Sequence, residues 1–255
     1  MRLFRDAFRF QAALTLRSPD TVHVLVTAPL YTVVFMAISR HAHRTDLAAY
    51  AVLAPVLMSL WSLALLTAGD LISRERSRGT LEAMVATPAS FPVVVLARIT
   101  AVTTISTVSF VESWLVAWWP FGVVVRVEHP LTLLWCLVLS ALAMAGTASA
   151  MSALYVLLPT ARTLQNSFTY PFYLLGGILV PVSYLPEWLR PLSRLVFLSW
   201  SSDLLRSALS PAPVVDELPR LAAIAVLGAA GCAVGGLMIT RILRRVRSTG
   251  TLART

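Results

Sequence analysis

Residues 130–161 read PLTLLWCLVLSALAMAGTASAMSALYVLLPTA, with no charged side chain between Glu128 and Arg162. About 20 apolar residues in a helix cross the hydrocarbon core of a bilayer. This run exceeds that length, so a membrane span is expected at 130–158. The pattern recurs on both sides. Toward the N-terminus, apolar cores lie between Asp20 and Arg40 and between Asp46 and Asp70, giving expected spans at 21–40 and 47–71. A third, at 92–120, carries Arg98 near its start and Glu112 inside. Toward the C-terminus, the intervals from Arg162 to Glu187 and from Arg220 to Arg241 give spans at 163–186 and 221–241. The expected fold class is an all-α membrane protein of six helices, one transmembrane domain over residues 1–255.

Composition agrees with this reading. Of 255 residues, 57% are hydrophobic and 13% are charged, and mean hydropathy is +0.76. Soluble domains carry about 25% charged residues. The net charge of +9 would suit nucleic acid in a soluble chain. Here the arginines cluster at the ends of apolar spans, as membrane topology requires, so no nucleic-acid partner is expected. Cys136 and Cys232 fall inside spans and read as small core residues, not as a disulfide or a metal site. Arg2, Arg5, Asp6 and Arg9 interrupt the N-terminus, so a cleavable signal is not expected. All 21 residues counted as Lys+Arg are arginine. A Walker A phosphate loop needs a lysine, so any ATP-driven role requires a separate ATPase chain.

Six spans put both termini on one side, and arginine placement chooses that side. With cytoplasmic termini, Arg2, Arg5, Arg9, Arg17, Arg74, Arg76, Arg78, Arg98, Arg162, Arg241, Arg244, Arg245, Arg247 and Arg254 lie inside or at the inner face. Only Arg40, Arg44, Arg126, Arg190, Arg194, Arg206 and Arg220 lie outside. Glu187, Asp203, Asp216 and Glu217 offset the last four. The positive-inside rule therefore places both termini in the cytoplasm. The all-arginine, Ala/Val/Leu-rich usage implies a high-GC bacterium, so a bacterial cytoplasmic membrane is the expected location.

Two segments outside the spans are also apolar in part. In residues 1–18, Leu3, Phe4, Ala7, Phe8 and Leu14 can share a helix face, with Arg2, Arg5, Asp6 and Arg9 mostly opposite. Such a helix lies in the membrane interface. Ser18-Pro-Asp20 ends it and starts the first span. Residues 187–220 are polar yet rich in Leu, Trp and Phe. They are expected to form one or two partly re-entrant or amphipathic outer helices packed on the fifth span, with Trp188 and Trp200 at headgroup depth. The tail from Arg241 to Thr255 is basic and expected to be frayed.

Between the second and third spans, residues 75–88 read ERSRGTLEAMVATP. Gly79-Thr80 breaks the chain direction, and Thr80 can cap a following helix. Glu82 then falls in the first turn, where the helix dipole favours an acid. A short helix parallel to the membrane is expected. Its charged residues, Glu75, Arg76 and Arg78 among them, face the cytosol, while Leu81, Met84 and Val85 face lipid or protein.

This segment resembles the cytoplasmic coupling segment of ABC-2 type transporter permeases, which typically reads Glu-Arg-x-x-Gly-Thr-Leu-Glu and runs on to Thr-Pro. Further matches follow in order: Arg98, Phe121-Gly122, Arg162 with Thr163-Leu-Gln165, Gly176-Gly177 to Pro181, Leu185-Pro186-x-Trp188, and Asp203-x-x-Arg206. One departure is Pro120, which would shorten the third span. The resemblance implies a permease subunit of an ABC exporter. It implies that Glu75, Arg76, Arg78, Gly79, Thr80, Leu81 and Glu82 contact an ATPase subunit. The partners implied are two ATPase copies, which bind ATP and Mg, and a second permease copy or a homologous permease. No cofactor, catalytic residue or metal is expected in this chain. Cargo would be a hydrophobic small molecule, an antibiotic or a lipid, with a lipid-linked glycan as the alternative.

Other residues carry two readings each. Glu112 either lines a cavity and contacts a cationic or hydroxylated substrate, or is structural, protonated or bonded to Ser or Thr on a neighbouring helix. Its cost at mid-bilayer, ~3 kcal/mol on insertion scales, requires that it face protein or a water-filled cavity. Trp114, Trp118 and Trp119 form an aromatic belt or, alternatively, a stacking surface for an aromatic or glycan substrate; Trp114 and Trp118 join Glu112 as pathway candidates. Asp70 and Arg74 would pair at i,i+4. Gly146 with Ala150, and Gly231 with Gly235, make small-xxx-small pairs suited to close helix packing. No histidine lies deep in a span, and His-Glu-x-x-His is absent, so intramembrane proteases are excluded. His41 and His43 alone make a poor metal site. A secondary transporter would show inverted repeats; none is evident, and only Glu112 keeps that reading open.

Overall fold

A computed structural model describes residues 2–43, 48–65, 79, 91–157 and 169–249. The elements are α1 (Arg2–Leu16), α2 (Pro19–His41), α3 (Ala48–Leu63), α4 (Phe91–Ser106), α5 (Val108–Trp118), α6 (Pro130–Leu157), α7 (Arg190–Arg194), α8 (Phe197–Ala208) and α9 (Glu217–Thr249). A further helical stretch covers 169–175, and a 3-10 turn covers Val182–Tyr184. No strand occurs among the described residues. Val93–Trp118, Pro130–Leu154 and Glu217–Arg241 are long and apolar enough to cross a membrane. Ala49–Leu63 is apolar but shorter.

These helices keep apolar side chains on the outside. α2 exposes Leu30, Val34 and Ile38, α6 exposes Leu131, Leu134 and Trp135, and α9 exposes Val226, Val234 and Leu237. Exposed apolar surface on that scale is anomalous in water and expected where the solvent is lipid. α3 is the central helix: Val52, Leu53, Val56, Leu57, Leu60 and Trp61 are buried along its length. Trp61 stacks on Phe172 with centroids 4.6 Å apart. Next to it, the Tyr173 hydroxyl donates to Met58 O at 3.2 Å and meets Ser62 Oγ at 2.9 Å. The 169–175 helix is thereby fixed to α3 by both stacking and hydrogen bonds.

α6 and α9 make the longest helix-helix contact. The expected small pairs meet here, with no room between backbones. A Cβ on Gly146 would strike Gly228 O and come within 2.8 Å of Cys232 N. A Cβ on Gly235 would strike Ser149 Oγ and reach Ala150 N at 2.7 Å. Without a hydrophobic force between helices in lipid, this close dispersion contact is what holds them.

The third expected span, 92–120, is helical over Val93–Trp118 with one interruption. α4 and α5 are separated at Thr107, and helix stops at Trp118, ahead of Pro120. Thr103, Thr104, Ser106, Thr107 and Ser109 each donate a hydroxyl back to a carbonyl three or four residues earlier. Such back-bonding competes with the helix ladder. The segment expected as a span at 163–186 is helical over 169–175, within its described part. It ends where Gly176-Gly177 turns the chain, Gly177 having φ +65°, a conformation that favours glycine. α9 starts at Glu217, four residues before the expected 221, and stays helical to Thr249, beyond where fraying was expected. Outside the described residues lie Asp70, Arg74, Arg162 and the whole of 75–88 except Gly79.

Candidate functional sites

Three groupings of polar residues stand out from the apolar bundle, one toward each end of the helices and one between them. The first joins α1 to α4. Arg98 is 5% exposed. Its Nε donates to Gln11 Oε1 at 2.8 Å, and Gln11 Nε2 donates on to Thr15 Oγ1 at 3.0 Å. The guanidinium also stands 5.7 Å from the Phe10 ring centroid. A buried arginine in a span needs partners, and α1 supplies them. The side of α1 facing α4 holds Gln11 and Thr15, while Leu3, Phe4 and Leu14 are exposed. α1 is thus latched to α4 by a charge-assisted bond, worth about 1.5–3 kcal/mol. Arg98→Ala should release α1 and speed tryptic cleavage at Arg9 and Arg17 by about tenfold in nanodiscs. Cleavage at the wild-type rate would mean that apolar contact alone holds α1.

The second grouping is a cap built around α8. α8 buries Phe197, Leu198, Leu204, Leu205 and Ala208 and packs on α3, α6 and α9 as well as on the 169–177 segment. Ser140 Oγ donates to Ser201 Oγ at 2.8 Å, and Ser202 Oγ donates to Gly176 O at 2.7 Å. Arg206 is its centre. It donates to Gly177 O and, at 3.1 Å, to Asp203 Oδ1, and it lies 4.5 Å over the Tyr50 ring of α3. Burial lowers the Arg206 pKa, and Tyr50 and Asp203 oppose that shift. Asp203 also faces Arg194, at 3.8 Å, and Arg194 stacks over Trp200 at 4.5 Å. Two clasps close the cap: His129 Nε2 lies 3.1 Å from Ala212 O, and Thr132 donates to Glu217 Oε1 at 2.8 Å.

The third involves the pathway candidates, which the structure separates. Glu112 lines a groove of about 870 Å³ between α2 and α5, together with Leu115, Val116, Trp119 and Pro120. Trp114 faces a different hollow, of about 460 Å³, with Phe110 and residues 124–128. Its Nε1 donates to Val125 O at 3.1 Å, so it tethers the loop that follows α5. Trp118 stacks on Trp114 at 6.3 Å and is half exposed. In the coupling segment only Gly79 is described; its φ is +70°.

Sequence reading alone did not pair Arg98 with Gln11 or Arg206 with Tyr50. The signal for the first was a Gln and a Thr spaced i,i+4 on α1. Nothing local marks Tyr50.

The helical membrane architecture has a counterpart in sequence. The family model for the ABC-2 type transporter matches residues 3–210, most of the chain, from α1 through α8. The protein belongs to the ABC-2 type transporter family, and is a transmembrane permease component of that class. Comparison with curated proteins finds no match.

Proposed function

We propose that this chain is the permease subunit of an ATP-driven exporter. It forms the translocation pathway for a hydrophobic small molecule or lipid and is driven by separate ATPase chains. The observation that carries this reading is the extent of the family match, residues 3–210, which takes in α1, the 75–88 segment and the cap around α8. The lack of any lysine in these residues supports the division of labour, since they cannot form a phosphate loop themselves. Two such ATPases would work with a pair of permeases, six spans each, all termini in the cytoplasm of a bacterial cell. ATP closes the ATPase dimer, the 75–88 segments follow it, and the permease interface opens outward. The lining of the larger groove between α2 and α5, apolar except for Glu112, favours a hydrophobic cargo over a glycan, whose hydroxyls would need polar partners.

Glu82→Ala and Gly79→Pro test the coupling. Proline fixes φ near −65°, which is incompatible with the +70° at Gly79. Both variants should insert and assemble but lose most export, about tenfold or more by analogy with lost docking contacts. ATP turnover of the co-purified ATPase should persist. Wild-type export in both variants counts against the coupling role, and vanadate-sensitive hydrolysis by the permease alone counts against the separate ATPase.

A further inference from the structure

Glu112 Oε2 is buried and has no hydrogen-bond partner among the described residues. The groove that Glu112 lines is walled by Leu25, Leu30 and Val33 of α2 and by Leu115 of α5, with Trp119 beside its end. Every other lining side chain is apolar. A mid-helix carboxylate in lipid costs ~3 kcal/mol or more, and the described residues return no hydrogen bond to this oxygen. Trp119 is 87% exposed, two helical turns or about 10 Å along α5 from Glu112. The groove's volume, about 870 Å³, suits a drug-sized molecule.

We propose that the α2/α5 groove binds a lipophilic organic cation entering from the bilayer, with Glu112 as counter-charge and Trp119 as aromatic platform at the mouth. This rests on the export reading above and names a cargo class for it. An isolated carboxylate in an apolar slot attracts a positive charge that brings its own hydrophobic body. An indole face at the mouth favours the same charge through its quadrupole. A neutral hydrophobe would fill the slot and leave Glu112 unpaired. A second copy of the chain would do the same. Among the described residues of the three long apolar spans, Arg98 is the basic side chain farthest from a span end, and it is buried and bonded to Gln11.

The test uses the full chain in phosphatidylcholine nanodiscs with no ATPase. Rhodamine 6G, a cation, and Nile red, uncharged, are titrated by fluorescence anisotropy. Glu112→Gln should weaken rhodamine 6G about tenfold and Nile red less than about twofold. Glu112→Asp should keep rhodamine 6G binding within about threefold, separating lost charge from lost folding. Trp119→Ala should weaken both dyes. Equal rhodamine 6G affinity in wild type and Glu112→Gln overturns the proposal, as does no binding to wild type. So does an intermolecular disulfide between Leu30→Cys and Leu115→Cys, which would show the groove closed by a second copy. Binding in this assay without ATP-driven export would sink the export reading and leave the site. Export of rhodamine 6G without Glu112-dependent binding would do the reverse.

Discussion

Gly146→Ala should lower the unfolding temperature of the purified chain, although helix propensity alone gives the opposite sign. Alanine is the better helix former by about 1 kcal/mol. At position 146, however, the new methyl would overlap the Gly228 carbonyl of α9 and sit 2.8 Å from Cys232 N. Both obstacles are backbone, so no rotamer change relieves them. α6 and α9 would have to separate along their shared face, losing contact at Ala143–Gly228 and Gly235–Ala150 as well. Overpacking costs about 3 kcal/mol at the upper end. Net of propensity, the loss is about 2 kcal/mol, or roughly 5 °C for a chain of this size. Gly146→Leu should go further and prevent folding. Gly236→Ala is the control. A Cβ there meets nothing within 4 Å, so propensity acts alone and the variant should be stabilised by up to about 1 kcal/mol. Thermal unfolding in one detergent, all three variants together, decides it. A stabilised Gly146→Ala would mean that the two helices do not approach this closely.

That contact was legible in the sequence because it is local on each helix: two small residues at i,i+4 on one apolar run, and two on another. Helix formation was legible for the same reason, and the helices at Pro130–Leu157 and Glu217–Thr249 contain the stretches that hydropathy picks out. Hydropathy averages over side chains and is blind to backbone direction. It therefore runs on through Thr107, where the helix is interrupted, and through Gly176-Gly177, where the chain turns while remaining apolar. Pairings across the chain were not legible. Arg98 and Gln11 are 87 positions apart, and each has an adequate local explanation, one as an inner-face charge and the other as part of an amphipathic helix. Glu112 was marked by its charge alone. Its unbonded oxygen depends on which helix faces α5, and sequence spacing does not say.

Arg206→Ala should loosen the cap around α8 more than any other single change there. Arg206 links three separate stretches: Gly177 at the turn after the 169–175 helix, Asp203 on its own helix, and Tyr50 on α3. Its side chain is 13% exposed and that of Asp203 26%. Breaking a fully buried ion pair from one side costs ~3–5 kcal/mol. Partial exposure of Asp203 and its second partner Arg194, at 3.8 Å, soften this, so about 2–3 kcal/mol is expected, with the Gly177 carbonyl left unpaired. Arg206→Lys keeps the charge but loses the planar fork that serves Gly177 and Asp203 while stacking on Tyr50. It should recover less than half of the loss. Asp203→Asn should cost less than Arg206→Ala, because Arg206 retains the Gly177 and Tyr50 contacts. The readout is hydrogen exchange at 177–200 in nanodiscs, where protection falls locally if the cap opens while α6 and α9 stay protected. Equal protection in wild type and Arg206→Ala would show that apolar burial of α8 alone secures the cap. A uniform loss across α6 and α9 would instead make Arg206 part of the bundle's global stability.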